Sequence, residues 1–240
     1  MLLTVTEVIT ETHDTKTLRF GFSKDKRIDF IPGQFIMLAI PTEKDGKKTI
    51  VNRSYSVASS PTKDYLDLTI KEVPDGFTSK QLQNTEVGEE FEFSGPYGNF
   101  VFNEKKMQKI VLIGSGSGIS ALHSIIQYIQ DKELDTRATL IYSNKTPDDI
   151  IYKKELLEMN DDMPNFNLFL TITRPEEMEN FRQWTGHTGR IDTAFLQQCV
   201  KDIKIPYFFL CGSSDFVKSM QTLLLELKVN KEKIKKEVYG

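Results

Sequence analysis

The sequence predicts a chain of two domains, an antiparallel β-barrel followed by a parallel sheet with helices, and two observations indicate this fold class. Within residues 1–100, runs rich in β-branched and aromatic residues alternate with segments of Pro, Gly, Asp and Lys, the pattern of short strands joined by turns. From residue 109 onward, short apolar runs alternate with helix-like stretches, which is typical of a parallel sheet covered on both faces. The polar stretch 103–108 separates the two patterns, so we expect domains at residues 1–104 and 105–240.

The first domain is expected to contain six strands and one short helix. Apolar Leu66, Leu68 and Ile70 alternate with polar residues, which is the pattern of a half-buried strand. Six antiparallel strands with one helix predict a small closed barrel. The predicted strands cover residues 3–10, 17–22, 35–40, 53–58, 65–72 and 90–94, and the helix covers 78–84.

The second domain is expected to alternate strands with helices. Each apolar run is short enough for a buried strand, and each following stretch has the spacing of an amphipathic helix. The predicted strands cover residues 109–113, 138–142, 168–173 and 207–211, and the helices cover 120–130, 152–159, 193–202 and 216–227.

Charge and hydropathy exclude two classes of function. The 240 residues carry 31 basic and 34 acidic side chains, a net charge of −3, so binding to nucleic acid is not favoured. The longest apolar run is the six residues 35–40, far short of the roughly 20 residues that a spanning helix needs. We therefore expect no membrane insertion.

Cysteine and histidine are too few and too scattered for a metal centre. Cys199 and Cys211 are the two cysteines, and they cannot supply the four ligands of a cysteine-bound iron–sulfur cluster or zinc site. The three histidines are widely spaced. Residues 1–4 show no basic region and no long apolar stretch, so no signal peptide is visible. With the low cysteine content, this predicts a reducing, cytoplasmic location.

A glycine-rich loop is the best single sign of a phosphate ligand. The segment GSGSG at 114–118 directly follows the strand 109–113 and precedes a helix. Glycine lets the backbone approach a pyrophosphate, and the helix N-terminus supplies free N–H groups. The alternative is a plain tight turn in which Gly118 only allows close packing of the helix on the strand.

A second motif, RSYS at 53–56, lies within a predicted strand of the first domain. Arg53 offers a fixed fork of donors for phosphate. Tyr55, two residues on, projects to the same face and offers a flat ring for stacking. Ser56 adds a small hydroxyl donor. The alternative is a tyrosine on a barrel surface beside a solvated arginine.

Five further segments accompany these two motifs along the chain. In order, the seven are PGQF at 32–35, RSYS at 53–56, GFTS at 76–79, GPYG at 95–98, GSGSGIS at 114–120, CG at 211–212 and EVY at 237–239. With these segments in this order, the chain resembles the ferredoxin–NADP reductase superfamily, the two-domain flavin reductases, over essentially its whole length. Two departures are Ala121, where the family often has Pro, and the SSDF segment at 213–216, where it usually has Pro-Pro-x-Met.

The resemblance implies an FAD site on the first domain. Arg53 would pair with the FAD pyrophosphate, Tyr55 would stack on the isoalloxazine, and Ser56 would donate a hydrogen bond near flavin N5. Thr78 and Ser79, at a helix start, would hold pyrophosphate oxygens, as a helix N-terminus favours anions. The same resemblance assigns three further residues to this cofactor: Ser54, Lys71 and Gly76.

The resemblance also implies a nicotinamide nucleotide on the second domain. Tyr239 would cover the other flavin face until nicotinamide displaces it. Cys211 would sit near the nicotinamide carbon that gives up hydride, and Glu237 would form hydrogen bonds near the same site. The implied catalytic set is Ser56, Cys211, Glu237 and Tyr239. The implied nucleotide-binding residues are Gly114, Gly116, Gly118, Ile119 and Ser120 of the glycine-rich loop, and Cys211 and Gly212 of the CG segment.

The end of the second parallel strand bears on the choice between NADP(H) and NAD(H). An NAD site usually carries an acidic residue there for the ribose hydroxyls, but no carboxylate follows residues 142–145 until Asp148. Ser143 and Lys145, with Arg174 from a later turn, could instead receive a 2′-phosphate. We therefore expect NADP(H), with NAD(H) as the alternative and a solvated loop role for Lys145 as the third possibility.

The expected function is an FAD-dependent NAD(P)H oxidoreductase that passes electrons to a separate carrier, first of all a ferredoxin or flavodoxin. Lysines at 105, 106 and 109 and at 231–236 could steer an acidic carrier, or could simply form a solvated face. A second reading is the reductase component of an oxygenase, or a flavin or quinone reductase. A third is a non-catalytic subunit that relays electrons within a larger complex.

Overall fold

The computed structural model describes residues 2–22, 27–44, 47–177 and 184–239, and these residues form two six-stranded sheets. The first sheet is antiparallel, in the order β4-β3-β6-β1-β2-β5. Its elements are β1 (Leu2–Thr12), β2 (Thr15–Gly21), β3 (Phe35–Lys44), β4 (Lys47–Ser56), β5 (Tyr65–Lys71), α1 (Phe77–Gln83) and β6 (Glu90–Tyr97).

The two edge strands of this sheet approach each other just beyond β4. Val57 forms an isolated antiparallel bridge with Leu68 of β5, and the amide of Ala58 donates to the carbonyl of Asp67 at 2.8 Å. Inward-facing residues such as Leu18, Phe20 and Leu38 are fully buried in one apolar core. The predicted barrel is therefore confirmed.

The second sheet is parallel, in the order β10-β9-β8-β7-β11-β12. Helices cover both of its faces, as predicted, because alternate residues of its strands enter two separate apolar clusters. Its elements are β7 (Lys109–Ser115), α2 (Ile119–Asp131), β8 (Arg137–Asn144), α3 (Lys153–Asp162), β9 (Phe166–Ile172), β10 (His187–Thr188), α4 (Thr193–Cys199), β11 (Tyr207–Ser213), α5 (Ser214–Glu226) and β12 (Ile234–Tyr239).

Several strands differ from the sequence prediction, and the two-residue strand β10 was not predicted. Strand β4 begins at Lys47 rather than residue 53, because residues 47–52 pair one by one with β3. Strand β12 was not predicted at all, because its lysines break the apolar pattern. It pairs in parallel with β11, with Cys211 opposite Glu237 and Ser213 opposite Tyr239.

Strand β5 also differs, since it is buried on both faces rather than one. Asp67 is 7% exposed and Thr69 is 6% exposed. The Arg19 guanidinium donates to both oxygens of Asp67 at 2.9 and 3.0 Å. The hydroxyl of Tyr152 forms a hydrogen bond with Thr69. The alternation of polar residues therefore marks a buried polar interface between the domains and not a solvent-facing side.

An apolar core continues from the first domain into the second. Ala58, Phe100 and Phe102 pack in the same cluster as residues of α2, α3 and β11. The rings of Phe100 and Phe209 meet edge to face, with centroids 5.2 Å apart. The predicted domain division at residues 104 and 105 falls in the connection between β6 and β7 and stays a prediction.

Candidate active site

A cleft of about 1200 Å³ lies between the two domains. Its walls come from β4, β5 and α1 of the barrel and from the carboxyl ends of β7, β8, β11 and β12. The fold brings most of the predicted site residues to this cleft. Those that line it are Arg53, Ser54, Tyr55, Ser56, Lys71, Gly76, Thr78, Ser79, Gly116, Ser120, Ser143, Lys145, Gly212 and Tyr239.

Strand β4 presents the RSYS motif on the barrel wall. Arg53 is exposed, and its guanidinium donates only to the neighbouring carbonyl of Asn52, at 3.1 Å, among the described contacts. Tyr55 is half-buried on the same face. Burial raises the pKa of Tyr55 to about 12, although the charge of Arg53 lowers it. The wall therefore offers a neutral aromatic ring beside a cation that has no carboxylate partner among the residues that the structure describes.

A hydrogen bond crosses the cleft between residues 181 positions apart in the chain. The Ser56 hydroxyl, at the end of β4, donates to Oε1 of Glu237 on β12 at 2.5 Å. Burial raises the pKa of Glu237, and the hydrogen bond from Ser56 offsets part of that rise. These two predicted catalytic residues are thus brought together, although Glu237 itself does not line the open space.

Cys211 and Tyr239 lie next to this pair. Cys211 is fully buried on β11, and Tyr239 packs against the same apolar cluster. Burial, and to a lesser degree the nearby Glu237, raises the pKa of the Cys211 thiol well above its ordinary value. Cys211 is therefore a neutral thiol beneath the cleft surface, which suits packing beside a ligand and does not suit nucleophilic attack.

The hydroxyl of Tyr239 is buried, and no group in the described ranges forms a hydrogen bond of good geometry with it. It lies close enough to Ser56 and Cys211 for both to influence its pKa, which burial raises well above the ordinary value. The Tyr239 ring itself is half-buried and lines the cleft.

Some residues of the glycine-rich loop pack against the sheet, and others line the cleft. A Cβ on Gly118 would lie 2.4 Å from the carbonyl oxygen of Cys211, and one on Gly114 would lie 2.8 Å from the Leu122 side chain. These two glycines permit close approach of α2 and the loop to the sheet. Gly116 has φ +50°, and a Cβ there would meet open space. Ile119 is fully buried, so Gly116 and Ser120 are the two residues assigned to the nucleotide within 114–120 that line the cleft.

The turn at residues 76–79 is held by its own hydrogen bonds. Ser79 is 7% exposed. Its hydroxyl donates to the Gly76 carbonyl at 3.2 Å and accepts from the Val73 amide at 3.1 Å. Thr78 is half-buried at the start of α1. Ser79 therefore shapes the turn, while Thr78 and the first backbone amides of α1 are available to a ligand.

Two predicted cofactor residues are already paired with carboxylates. Lys71 lines the cleft, and its Nζ lies 2.6 Å from Asp14. Arg174 lies outside the lining residues and donates to Glu177 at 2.9 Å. Of the three residues predicted to receive a 2′-phosphate, Ser143 and Lys145 reach the cleft and Arg174 does not.

Sequence reasoning missed several residues of the nucleotide-side wall. Asn144 ends β8 and lines the cleft between Ser143 and Lys145. A neutral amide carries no charge signal, so the search for an acidic or basic residue passed over it. Three serine hydroxyls of the wall were also missed: Ser115, Ser117 and Ser213.

Across the described ranges, every helix is too short or too polar to cross a membrane.

Comparison with known proteins identifies both domains. Residues 2–102 match a family described as the oxidoreductase FAD-binding domain, and residues 112–222 match the oxidoreductase NAD-binding domain. The chain is 32% identical over 220 residues to the glycine betaine monooxygenase reductase subunit of Chromohalobacter salexigens, covering 91% of this chain and 58% of that protein.

A second relative is matched over more of its length. The NADH-cytochrome b5 reductase 2 of Aspergillus terreus is 30% identical over 227 residues, which cover 91% of this chain and 68% of that protein. Among solved structures, the ferredoxin NADP+ reductase from Neisseria gonorrhoeae with bound FAD and NADP superposes with a TM-score of 0.80 at 20% identity, covering 99% of this chain and 98% of that one. The chain therefore belongs to the ferredoxin–NADP reductase superfamily, and its two domains are the FAD-binding and NAD-binding domains of that family.

Proposed function

We propose that this protein is an NAD(P)H-dependent flavoprotein reductase that takes hydride from a nicotinamide nucleotide onto FAD and passes the electrons to a separate carrier. The observation that carries the proposal is the 2.5 Å hydrogen bond from Ser56 to Glu237 across the cleft. Tyr55, the residue before Ser56, and Tyr239, two residues after Glu237, also line the cleft. The two domains thus join one polar pair and two aromatic rings at a single point.

The residues of the cleft fit both FAD and a nicotinamide nucleotide. The guanidinium of Arg53 has no carboxylate partner among the described residues, which suits a pyrophosphate. The open space beside Gly116 lets a second pyrophosphate approach the backbone at the start of α2. Flat faces on Tyr55 and Tyr239 suit planar rings.

When bound, FAD supplies the redox chemistry, since its ring system accepts a hydride and releases electrons singly or in pairs. The chain itself orients the two rings and excludes water. Ser56 carries a proton on its hydroxyl, and Glu237 accepts that hydrogen bond with a carboxyl whose pKa burial has raised. Cys211 is a buried, neutral thiol beneath the cleft surface and would pack beside a bound ring.

We propose NADP(H) as the preferred nucleotide and NAD(H) as the alternative. Lys145 is exposed, lines the cleft and forms no ion pair with the residues that the structure describes, so its charge is available to a 2′-phosphate. Asp149 also lines this part of the cleft, but its carboxylate accepts from the amide and hydroxyl of Thr146 at 2.9 and 2.8 Å. It is therefore committed to the local turn.

The proposed partner is a ferredoxin or flavodoxin-like carrier. Two of the lysines predicted to attract this carrier already form hydrogen bonds within the chain. Lys233 donates to the carbonyls of Lys204 and Ile205, and Lys236 donates to the side chain of Gln221. Lys236 is exposed on β12, and its positive charge favours an acidic partner. We also propose a cytoplasmic location, since both cysteines of the described chain are free thiols.

A second candidate function is the reductase component of an oxygenase. It is favoured by the similarity to glycine betaine monooxygenase reductase subunits. This chain spans 58% and 64% of the length of those proteins.

Stopped-flow absorbance of the FAD-loaded protein tests the proposal. Mixing with NADPH, and separately with NADH, should bleach the oxidised flavin band within the time of turnover, and NADPH should act faster at equal concentration. Protein that retains FAD but is reduced by neither nucleotide would contradict the enzyme and would favour a relay subunit. Reoxidation by purified ferredoxin, flavodoxin or an oxygenase component then separates the two candidate functions.

A further inference from the structure

Three side chains that can bind a metal ion meet at the edge of the cleft, although they lie far apart in the sequence. His13 and Asp14 form the turn between β1 and β2 of the barrel, and Asp149 ends the turn that follows β8 in the second domain. One ligand atom from each, a ring nitrogen or a carboxylate oxygen, lies within 4.8 Å of the other two. Asp149 is 8% exposed and lines the cleft. The fold therefore brings one nitrogen and two oxygens together across the domain interface.

Threonines hold both carboxylates in place. Oδ1 of Asp14 accepts from the hydroxyls of Thr12 and Thr15 at 2.8 and 2.9 Å. Oδ2 of Asp149 accepts from both the amide and the hydroxyl of Thr146, whereas its Oδ1 accepts no hydrogen bond from the residues that the structure describes. Carboxylates that bind metal ions are usually oriented by hydrogen bonds of this kind. Both carboxylates are thus oriented, and that of Asp149 has one oxygen available.

The third side chain, His13, forms no hydrogen bond within the described ranges. It is 67% exposed, and its Nε2 lies 3.8 Å from Oδ2 of Asp14, which is beyond hydrogen-bonding distance. One neighbouring charge opposes a cation, because Nζ of Lys71 lies 2.6 Å from Oδ2 and 2.7 Å from Oδ1 of Asp14. The two carboxylates outnumber this ammonium group, so the cluster keeps a net negative charge that favours a cation.

The types of ligand atom indicate the class of metal. Mg²⁺ and Ca²⁺ take oxygen ligands, whereas a set that includes an imidazole suits zinc and other first-row transition metals. We propose that His13, Asp14 and Asp149 bind a divalent transition-metal ion such as Zn²⁺, with water as the fourth ligand. Bonds to zinc of about 2.0–2.2 Å put tetrahedral ligand atoms about 3.4 Å apart, so the exposed His13 side chain moves by roughly 1 Å on binding. The bound ion joins the barrel to the second domain.

The inference goes beyond the proposed reductase function, because none of the three ligands is assigned to FAD or to the nucleotide. Its test is calorimetric titration of the FAD-loaded protein with ZnCl₂ near pH 7.5, in a buffer that does not chelate zinc. His13→Ala and Asp149→Asn should each weaken binding at least about 10-fold, since even the loss of a group that only orients a ligand costs that much. Asp148→Asn, which changes the exposed neighbouring carboxylate, is the matched control and should bind as the wild type does.

Two further measurements show that the ion binds the folded protein and where it lies. Zn²⁺ should raise the unfolding midpoint of the wild type and of Asp148→Asn, because a ligand that binds only the folded state stabilises it. It should leave the midpoint of His13→Ala unchanged, and Mg²⁺ should have no effect on the wild type. Anomalous diffraction from zinc-soaked crystals of the wild type should show a peak between the His13 ring and the two carboxylates.

Wild-type protein that binds no zinc would overturn the proposal, as would an anomalous peak at another position. Zinc affinity that is unchanged in His13→Ala would also overturn it. Loss of binding in His13→Ala together with normal binding in Asp149→Asn would assign the ion to the barrel turn alone and would end the link between the domains. If Asp149→Asn yields no folded protein, His13→Ala and the position of the anomalous peak decide the question.

Discussion

The imidazole of His123 lies flat against the phenol ring of Tyr152, with centroids 4.1 Å apart and planes 22° from parallel. The pair sits at the seam between the domains. Nδ1 of His123 lies 2.8 Å from the carbonyl oxygen of Ala58 in the barrel, and Nε2 lies 3.2 Å from Oε1 of Glu155 on α3. Acceptors at both ring nitrogens favour the doubly protonated, cationic ring, which links the two domains.

This geometry predicts a pH-dependent stability. Burial alone lowers the pKa of His123, but Glu155 and the Ala58 carbonyl outweigh it, so the pKa lies above its ordinary value of 6.5. Burial raises the pKa of Glu155 and the cation lowers it, with a net fall below 4.5. The stabilisation by His123 is complete below pH 6.5 and is lost as pH rises through the folded-state pKa, while that of Glu155 is complete above pH 4.5.

Two other carboxyls at the domain interface, those of Glu11 and Asp67, also contribute to the pH dependence of stability. Burial raises the pKa of Glu11 and of Asp67 despite their hydrogen bonds to Thr17 and Arg19. Ionising a group with a raised pKa weakens the fold as pH rises above 4. His123→Gln should therefore flatten the decline in unfolding free energy between pH 6 and 9 and cost about 1–3 kcal/mol at pH 6. Urea unfolding across this range measures both, with exposed His13→Gln as control.

Arg53→Ala should weaken retention of FAD more than it changes the rate of hydride transfer. Arg53 lines the cleft and offers its guanidinium to a phosphate, and losing one charged hydrogen-bonding partner costs about 1.5–3 kcal/mol. Fluorescence titration of the apoprotein with FAD measures the loss. Arg137→Ala, on an exposed residue at the start of β8, should bind FAD normally. Equal affinities for the two variants would remove Arg53 from the pyrophosphate.

Lys145→Glu should shift nucleotide preference from NADPH towards NADH. The carboxylate would repel a 2′-phosphate, and reversing one charge at contact distance in water is worth about 2 kcal/mol, or about 30-fold. The ratio of kcat/KM for the two nucleotides is the measurement, and Lys201→Glu on the exposed surface is the control. An unchanged ratio would mean that Lys145 does not face the 2′ position.

Tyr239→Ser should make oxidised nucleotide bind more tightly. If the Tyr239 ring occupies the place that nicotinamide must take, removing it removes a competitor whose stacking is worth about 0.5–1.5 kcal/mol. Titration with NADP⁺, followed by flavin absorbance, should show an affinity gain of about 2- to 10-fold and a stronger charge-transfer band on reduction. Turnover should fall, because product leaves more slowly.

The control for this variant is Tyr207→Ser, at the other end of β11. It should leave both affinity and spectra unchanged. Identical NADP⁺ affinity and identical spectra for Tyr239→Ser and wild type would place the Tyr239 ring away from the nicotinamide.

Regular apolar patterns made the architecture predictable, and departures from them marked its limits. The runs that became β7, β8 and β11 are continuous and buried, so their sequence signal was strong. Strand β12 was not predicted because two adjacent lysines and a glutamate interrupt its apolar residues, and its pairing with β11 identifies it as a strand. A local sequence pattern cannot reveal a strand that is stabilised mainly by pairing with a neighbouring strand.

In the candidate site too, contiguous motifs were predictable from the sequence, whereas contacts that depend on domain packing were not. Ser56 and Tyr55 were found because their motif is contiguous, but the contact of Ser56 with Glu237 depends on the packing of two domains. Asp67 and Thr69 looked solvent-facing because polar residues at alternate strand positions usually are. Their true partners, Arg19 and Tyr152, lie 48 and 83 residues away. Asn144 carried no charge and so gave no signal.

The apolar core that runs from Phe100 and Phe102 into β11 and α2 has a consequence for how the protein melts. Phe100 stacks edge to face on Phe209, and Phe102 on Tyr128. If the barrel unfolded alone, one side of this core would be exposed to water, at a cost of about 1.5–3 kcal/mol for each aromatic side chain uncovered. The two halves therefore share one cooperative transition, and exchanging either half with a relative requires these rings to be exchanged together.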